Sequence, residues 1–139
     1  MKAYLDASVV LRVLLREPGA IENWSRWEML VTSELVRVEC FRSLDRLRLT
    51  GRLHDAQLAD LSDTLRLVLR TFEQVPLAPI IQERAAGPFP SVISTLDAIH
   101  LATALRWMEE AGEPLLFVTH DAQLAVAARL CGLEVKTAP

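Results

Sequence analysis

A chain of 139 residues that is 51% apolar can bury a core without disulfides or a structural metal, so one globular domain over 1–139 is expected and disorder is excluded. A formal charge of −3 excludes a generally basic nucleic-acid binder, and any contact with phosphates must be local. Cys40 and Cys131 lie far apart with no CxxC spacing, each in an apolar helical pattern, which reads as two buried reduced thiols in a cytoplasmic protein.

Along the chain, residues 3–5 are a short apolar run ending at Asp6, and Val9, Val10, Val13 and Leu14 then recur at helical spacing. Pro18-Gly19 breaks that helix, and 20–28 offers an amphipathic turn or two carrying Trp24 and Trp27 before a second strand at 29–31. Thr32 or Ser33 is expected to cap a helix that keeps Leu35, Val36, Cys40, Phe41, Leu44 and Leu47 on one face until Thr50-Gly51. Asp55 is expected to cap the next, whose stripe runs from Leu58 through Leu65 to Phe72. Residues 74–77 read as an edge strand, since Pro76 has no ladder donor.

The second half continues the alternation. A short helix over 80–86 is predicted to stop at Gly87-Pro88, with a loop at 89–91. Ser94 and Asp97, at capping-box-like spacing, open a helix that runs through Leu101, Ala104 and Leu105 to Gly112. Residues 115–118 are the clearest strand; Thr119-His120-Asp121 leads into a last helix ending near Gly132, and 133–135 offers a final strand. No basic leader precedes the first strand and no apolar stretch approaches the ~18 residues of a membrane span, so no membrane association is expected.

Short strands alternating with helices imply an α/β three-layer sandwich, a short and mostly parallel central sheet flanked by helices. Sites in such sheets form beyond the carboxyl ends of strands, where the strand order switches, and Asp6 and Asp121 both sit at that end. Asp6, Asp97 and Asp121 each have a plain explanation as acids at helix starts. Glu39 borders an apolar face, and a surface pair with Arg42 or Ser43 would also account for it. If all four converge, they repel one another unless a cation neutralises them, and a hard divalent ion takes oxygen ligands. His100 and His120 are lone histidines, read as structural with a supporting place beside Asp97 and Asp121. Among the arginines crowded between 37 and 52, Arg37, Arg42 and Arg46 are candidates for a local contact with nucleic-acid phosphates, although a solvated helix face explains such a run.

Tyr4-Leu5-Asp6-Ala7-Ser8, Glu39 within 33–42, the run from Thr95-Leu96-Asp97 to Ala104, and Phe117-Val118-Thr119-His120-Asp121 resemble PIN domains, and within that family the VapC toxins of bacterial toxin–antitoxin pairs. The likeness runs from end to end of the chain. It implies that Asp6, Glu39, Asp97 and Asp121 bind one or two Mg²⁺ or Mn²⁺ ions, with Ser8 and Thr119 orienting ligands or water. It also implies endoribonuclease action on structured RNA such as tRNA or rRNA, a homodimer, and a cognate antitoxin whose C-terminal segment fills a groove, which Trp24 and Trp27 would line if they are not simply core. Within the nuclease reading, a housekeeping role in RNA processing is an alternative, and a noncatalytic interaction module with the same fold is another. Aspartate phosphotransfer fits poorly, because the haloacid-dehalogenase pattern wants a second Asp where Ser8 stands and a receiver wants an acceptor Asp that 75–77 does not supply.

Overall fold

The computed structural model describes residues 1–137. Five strands, β1 (Lys2–Leu5), β2 (Met29–Ser33), β3 (Phe72–Val75), β4 (Leu115–Thr119) and β5 (Glu134–Thr137), form one sheet in the order β3-β2-β1-β4-β5. Every ladder is parallel, with Tyr4 paired to Val31 on one side and to Phe117 on the other. Six helices connect them: α1 (Ala7–Leu14), α2 (Val36–Leu49), α3 (Asp55–Leu69), α4 (Pro79–Ala86), α5 (Thr95–Ala111) and α6 (Ala122–Leu130).

The layers follow from crossover handedness. Leaving β1, the chain winds outward to β2 and β3, then returns past β1 to β4 and β5; right-handed connections running in opposite directions put their helices on opposite faces. One apolar layer joins Ala3, Leu5 and Leu30 to Val9, Val36, Leu44 and Leu65 under α1–α3. The other joins Tyr4, Val31 and Phe117 to Leu101, Leu105 and Leu124 under α5 and α6. Adjacent residues of β1 thus serve different cores, as the two-residue period of a strand requires, and a strand covered on both faces reads as a continuous apolar run.

Several boundaries differ from the sequence reading. Helix α1 ends at Leu14, ahead of Pro18-Gly19, and the chain turns away at Arg16, which takes a left-handed φ of 53°. Between 20 and 28 only a 3-10 turn forms, Trp24–Arg26. Thr32 and Ser33 belong to β2: the Thr32 hydroxyl donates to the Leu5 carbonyl at 2.8 Å, and α2 starts from Leu35 without a side-chain cap. His54 caps α3, its Nδ1 accepting from the Gln57 backbone while Gln57 reaches back to the His54 N–H, so Asp55 is already helical. Phe72 lies in β3 and not on the α3 stripe; β3 is an edge strand, as expected, shifted two residues toward the N-terminus. Cys40 is buried, whereas Cys131 closes α6 half-buried. Among the described residues, no helix is long and apolar enough to cross a membrane.

Two leucines in α3 test the layering. Leu65 is fully buried and Leu67 is 61% exposed. Leu65→Ala should lower the unfolding free energy by about 2–5 kcal/mol through lost transfer and a residual cavity, and Leu67→Ala should change it by about 0.5 kcal/mol or less. Urea denaturation of both variants measures the contrast.

Candidate active site

The reversal of strand order opens a crevice between the carboxyl ends of β1 and β4, and Asp6 sits in it, 5% exposed. It caps α1, with Oδ1 accepting from the Val9 N–H at 3.2 Å and from the Ser8 hydroxyl at 2.6 Å. Its Oδ2 accepts from the Thr119 hydroxyl at 2.6 Å. Thr119, the last residue of β4, uses the same oxygen to accept from the Asp121 N–H at 3.0 Å. Asp121 caps α6, its Oδ1 accepting from Gln123 N–H at 2.8 Å and Leu124 N–H at 3.0 Å. One buried hydroxyl therefore ties the acid after β1 to the turn holding the acid after β4.

Asp97 lies in the first turn of α5, which Ser94 caps by accepting from the Asp97 N–H at 3.2 Å. Asp97 does not close a box of its own type: no hydrogen bond from the Ser94 N–H to its carboxylate is present among the described residues. Burial raises its carboxyl above the ordinary value; the Ser94 hydroxyl offsets part of this, and the charges of Asp121 and Asp6 add to it. Glu39 projects from α2, on the other face of the sheet, and its Oε1 meets His100 Nε2 of α5 at 2.6 Å. His100 is buried, and its Nδ1 lies 2.6 Å from the Tyr4 hydroxyl. Burial holds the Tyr4 phenol well above its usual range, reinforced by the charges of Asp6 and Glu39. Burial likewise pushes the Cys40 thiol up to about 12, with Glu39 and Asp6 contributing.

Asp97 thus feels the charges of Asp121 and Asp6, and Glu39 meets His100 one helical turn along α5 from Asp97. As oriented, however, no group of three or more His, Cys, Asp or Glu side chains among the described residues is set to share a metal ion. The carboxylates are engaged locally, by helix caps, by Ser8 and Thr119, and by His100. Carboxylates and hydroxyls, without a thiolate, nevertheless make a donor set whose chemistry suits a hard divalent cation, and the mutual repulsion around Asp97 is what such a charge relieves.

The three arginines separate. Arg42 and Arg46 are exposed and line a groove of about 320 Å³ with Glu39, Val38 and Leu96, and Arg42 also pairs with Asp45 at 2.9 Å. Arg37 points along another side of α2, its guanidinium 5.1 Å from the Phe41 ring, which Arg66 also approaches. Trp27 is core; half-buried Trp24 lines a larger apolar groove of about 450 Å³ between α1 and α3 with Val10, Leu14, Leu61 and Val68. Two residues with no role assigned from sequence join the site: Tyr4, through His100, and Arg12, whose Nη1 lies 3.0 Å from His120 Nδ1 beside Asp121. A polar aromatic at an inward position of an otherwise aliphatic strand was the available signal for Tyr4. Arg12 carried none beyond its place one helical turn from Ser8.

Thr119→Val keeps the shape of the side chain but strips both the Asp6 carboxylate and the Asp121 N–H of a partner. It should cost about 1–3 kcal/mol of stability in urea denaturation. For Asp97 the pH dependence has a definite sign. A carboxyl raised by folding is penalised when ionised, so native stability falls as pH rises from the ordinary value of 3.8 through the raised one. Metal-free Asp97→Asn should therefore resist more urea than the unsubstituted protein at pH 7, and the gap should close near pH 3.

Comparison with known proteins agrees with this architecture. The PIN domain family model matches residues 3–130. The chain is 33% identical over 139 residues to Ribonuclease VapC46 of Mycobacterium tuberculosis, covering 95% of this chain and 94% of that protein. It is 32% identical over 136 residues to Ribonuclease VapC47 of Mycobacterium tuberculosis, covering 93% and 91%. A matched model spanning nearly the whole chain, on an all-parallel sheet with acids at its switch point, makes this protein a member of the PIN domain family.

Proposed function

We propose that this PIN-domain protein is a Mg²⁺- or Mn²⁺-dependent endoribonuclease, the toxin of a type II toxin–antitoxin pair, cleaving structured RNA such as tRNA or rRNA in the cytoplasm. The observation that carries the reading is Asp6 at the β1–β4 switch point, tied through the Thr119 hydroxyl to the turn of Asp121, with the charges of both acting on Asp97. Two relatives named as VapC ribonucleases, similar over most of their length, support it.

In this reading Asp6, Glu39 and Asp97 hold the cation, and Asp121 completes the set directly or through water. Ser8 and Thr119 keep the Asp6 carboxylate turned toward the crevice by donating to its two oxygens. A bound divalent ion supplies positive charge beside the scissile phosphate and makes water a better nucleophile. Arg42 and Arg46, lining the groove that adjoins Glu39, hold neighbouring phosphates, whereas Arg37, stacked on Phe41 along another side of α2, stands apart from that groove. Hydrolysis by water requires no attack from the ribose 2′-hydroxyl, so the products carry a 5′-phosphate and a 3′-hydroxyl. The apolar groove beside Trp24 favours an amphipathic antitoxin segment as partner, and the chain acts as a homodimer of single-domain subunits.

Purified protein should cleave RNA in Mg²⁺ or Mn²⁺ and stop on chelation. Asp6→Asn and Asp97→Asn should each lower the rate by more than about a hundredfold, the upper range for disturbing a metal's ligands. Cleavage at an unchanged rate by both folded variants rules out the site; 2′,3′-cyclic phosphate ends rule out the mechanism.

A further inference from the structure

We propose that Tyr4 and His100 are positioning residues that aim Glu39 into the acidic pocket through a hydrogen-bond chain of fixed direction: Tyr4 O–H to His100 Nδ1, then His100 Nε2–H to Glu39 Oε1. Both contacts are 2.6 Å long, and they join a strand at the centre of the sheet to a carboxylate on the far side of its edge-on crevice.

The direction follows from donor and acceptor chemistry. An ionised carboxylate only accepts, so Nε2 facing Oε1 must carry the hydrogen. In a neutral imidazole the other nitrogen is then an acceptor, and the hydroxyl facing it donates. The opposite tautomer sets the Nε2 lone pair against Glu39 Oε1, two acceptors with no hydrogen between them. A flipped ring puts carbon atoms at both contacts. Of the two neutral tautomers, only Nε2–H gives the Glu39 carboxylate a donor.

Packing holds the chain in place. Tyr4 is fully buried and lies against Phe117 with ring centroids 5.3 Å apart and planes 5° from parallel. His100, 2% exposed, meets the Tyr4 ring at 73° with centroids 5.8 Å apart. Glu39 is the longest and most flexible of the four acids; it too lies in the first turn of its helix, but that helix lacks a side-chain cap. Without His100 nothing among the described residues hydrogen-bonds its carboxylate, and no such bond reaches Oε2. The arrangement inverts the usual carboxylate–histidine–metal order: here the imidazole stands behind the carboxylate and orients it.

The role rests on the metal-dependent reading above, and the test separates the two. Tyr4→Phe removes one hydroxyl and keeps the ring stacking; His100→Leu removes both nitrogens; His100→Gln keeps an N–H donor near the place of Nε2. In the metal-free protein at pH 7, ¹⁵N NMR should find His100 in the Nε2–H tautomer alone, and in Tyr4→Phe the Nδ1 resonance should shift as its donor is lost. Mn²⁺ binding, followed by electron paramagnetic resonance, should weaken by about tenfold or more in Tyr4→Phe and His100→Leu and stay within about threefold in His100→Gln. If His100→Leu fails to fold, the Tyr4→Phe and His100→Gln pair carries the comparison. A predominant Nδ1–H tautomer overturns the chain. Mn²⁺ binding of equal strength in the unsubstituted protein and folded Tyr4→Phe overturns the positioning role alone. No Mn²⁺ binding by the unsubstituted protein overturns the metal reading itself, and the role with it.

Discussion

The strand order reverses at β1, with β2 and β3 laid on one side of it and β4 and β5 on the other, and much of the molecule follows from that reversal. Had the strands run in simple sequence, the loop after each would cover the next. Instead the ends of β1 and β4 stand side by side with their connections folded away to opposite faces, and the gap admits Asp6 from one strand and Thr119 from the other. Three helices also begin there. The N-termini of α1, α5 and α6 bring their partial positive charge to the same end of the sheet, which favours carboxylates over any other side chain in that position.

Three of the acids consequently have a local structural part. Asp6 and Asp121 satisfy the first amides of their helices, and Asp97 complements the start of a third. These local bonds keep a crowded set of negative groups tolerable without a bound ion, because every buried oxygen accepts something. They also explain why no ready-made cage of three ligands exists among the described residues. Support comes from both layers: the Asp6 carboxylate is held by hydroxyls from β4 and α1, whereas Glu39 is held across the sheet from α5.

The alternation of strands and helices, the parallel sheet and the residues that end up at its switch point were all legible in the sequence, because two-residue and helical periods and turn residues are local signals. What failed was also local: Thr32 looked like a cap but its hydroxyl prefers the Leu5 carbonyl in the neighbouring strand, and His54 took the capping position read onto Asp55. A residue type allows a cap; neighbours brought in from elsewhere decide whether it forms. The same limit hid Tyr4 and Arg12, whose partners stand 96 and 108 positions away. It also separated Arg37 from Arg42 and Arg46, since a run of arginines on one helix says nothing of which stripe faces the groove until α3 supplies the ring contact with Arg66.

The hydroxyl bridge between Thr119 and Asp6 closes a loop of 113 positions. Contacts so distant in sequence form late, since the chain must surrender the entropy of everything between them before they yield anything. During translation, β1 can pair with β2 long before β4 exists. The acidic crevice therefore cannot assemble on a nascent chain until β4 has emerged to lie beside β1.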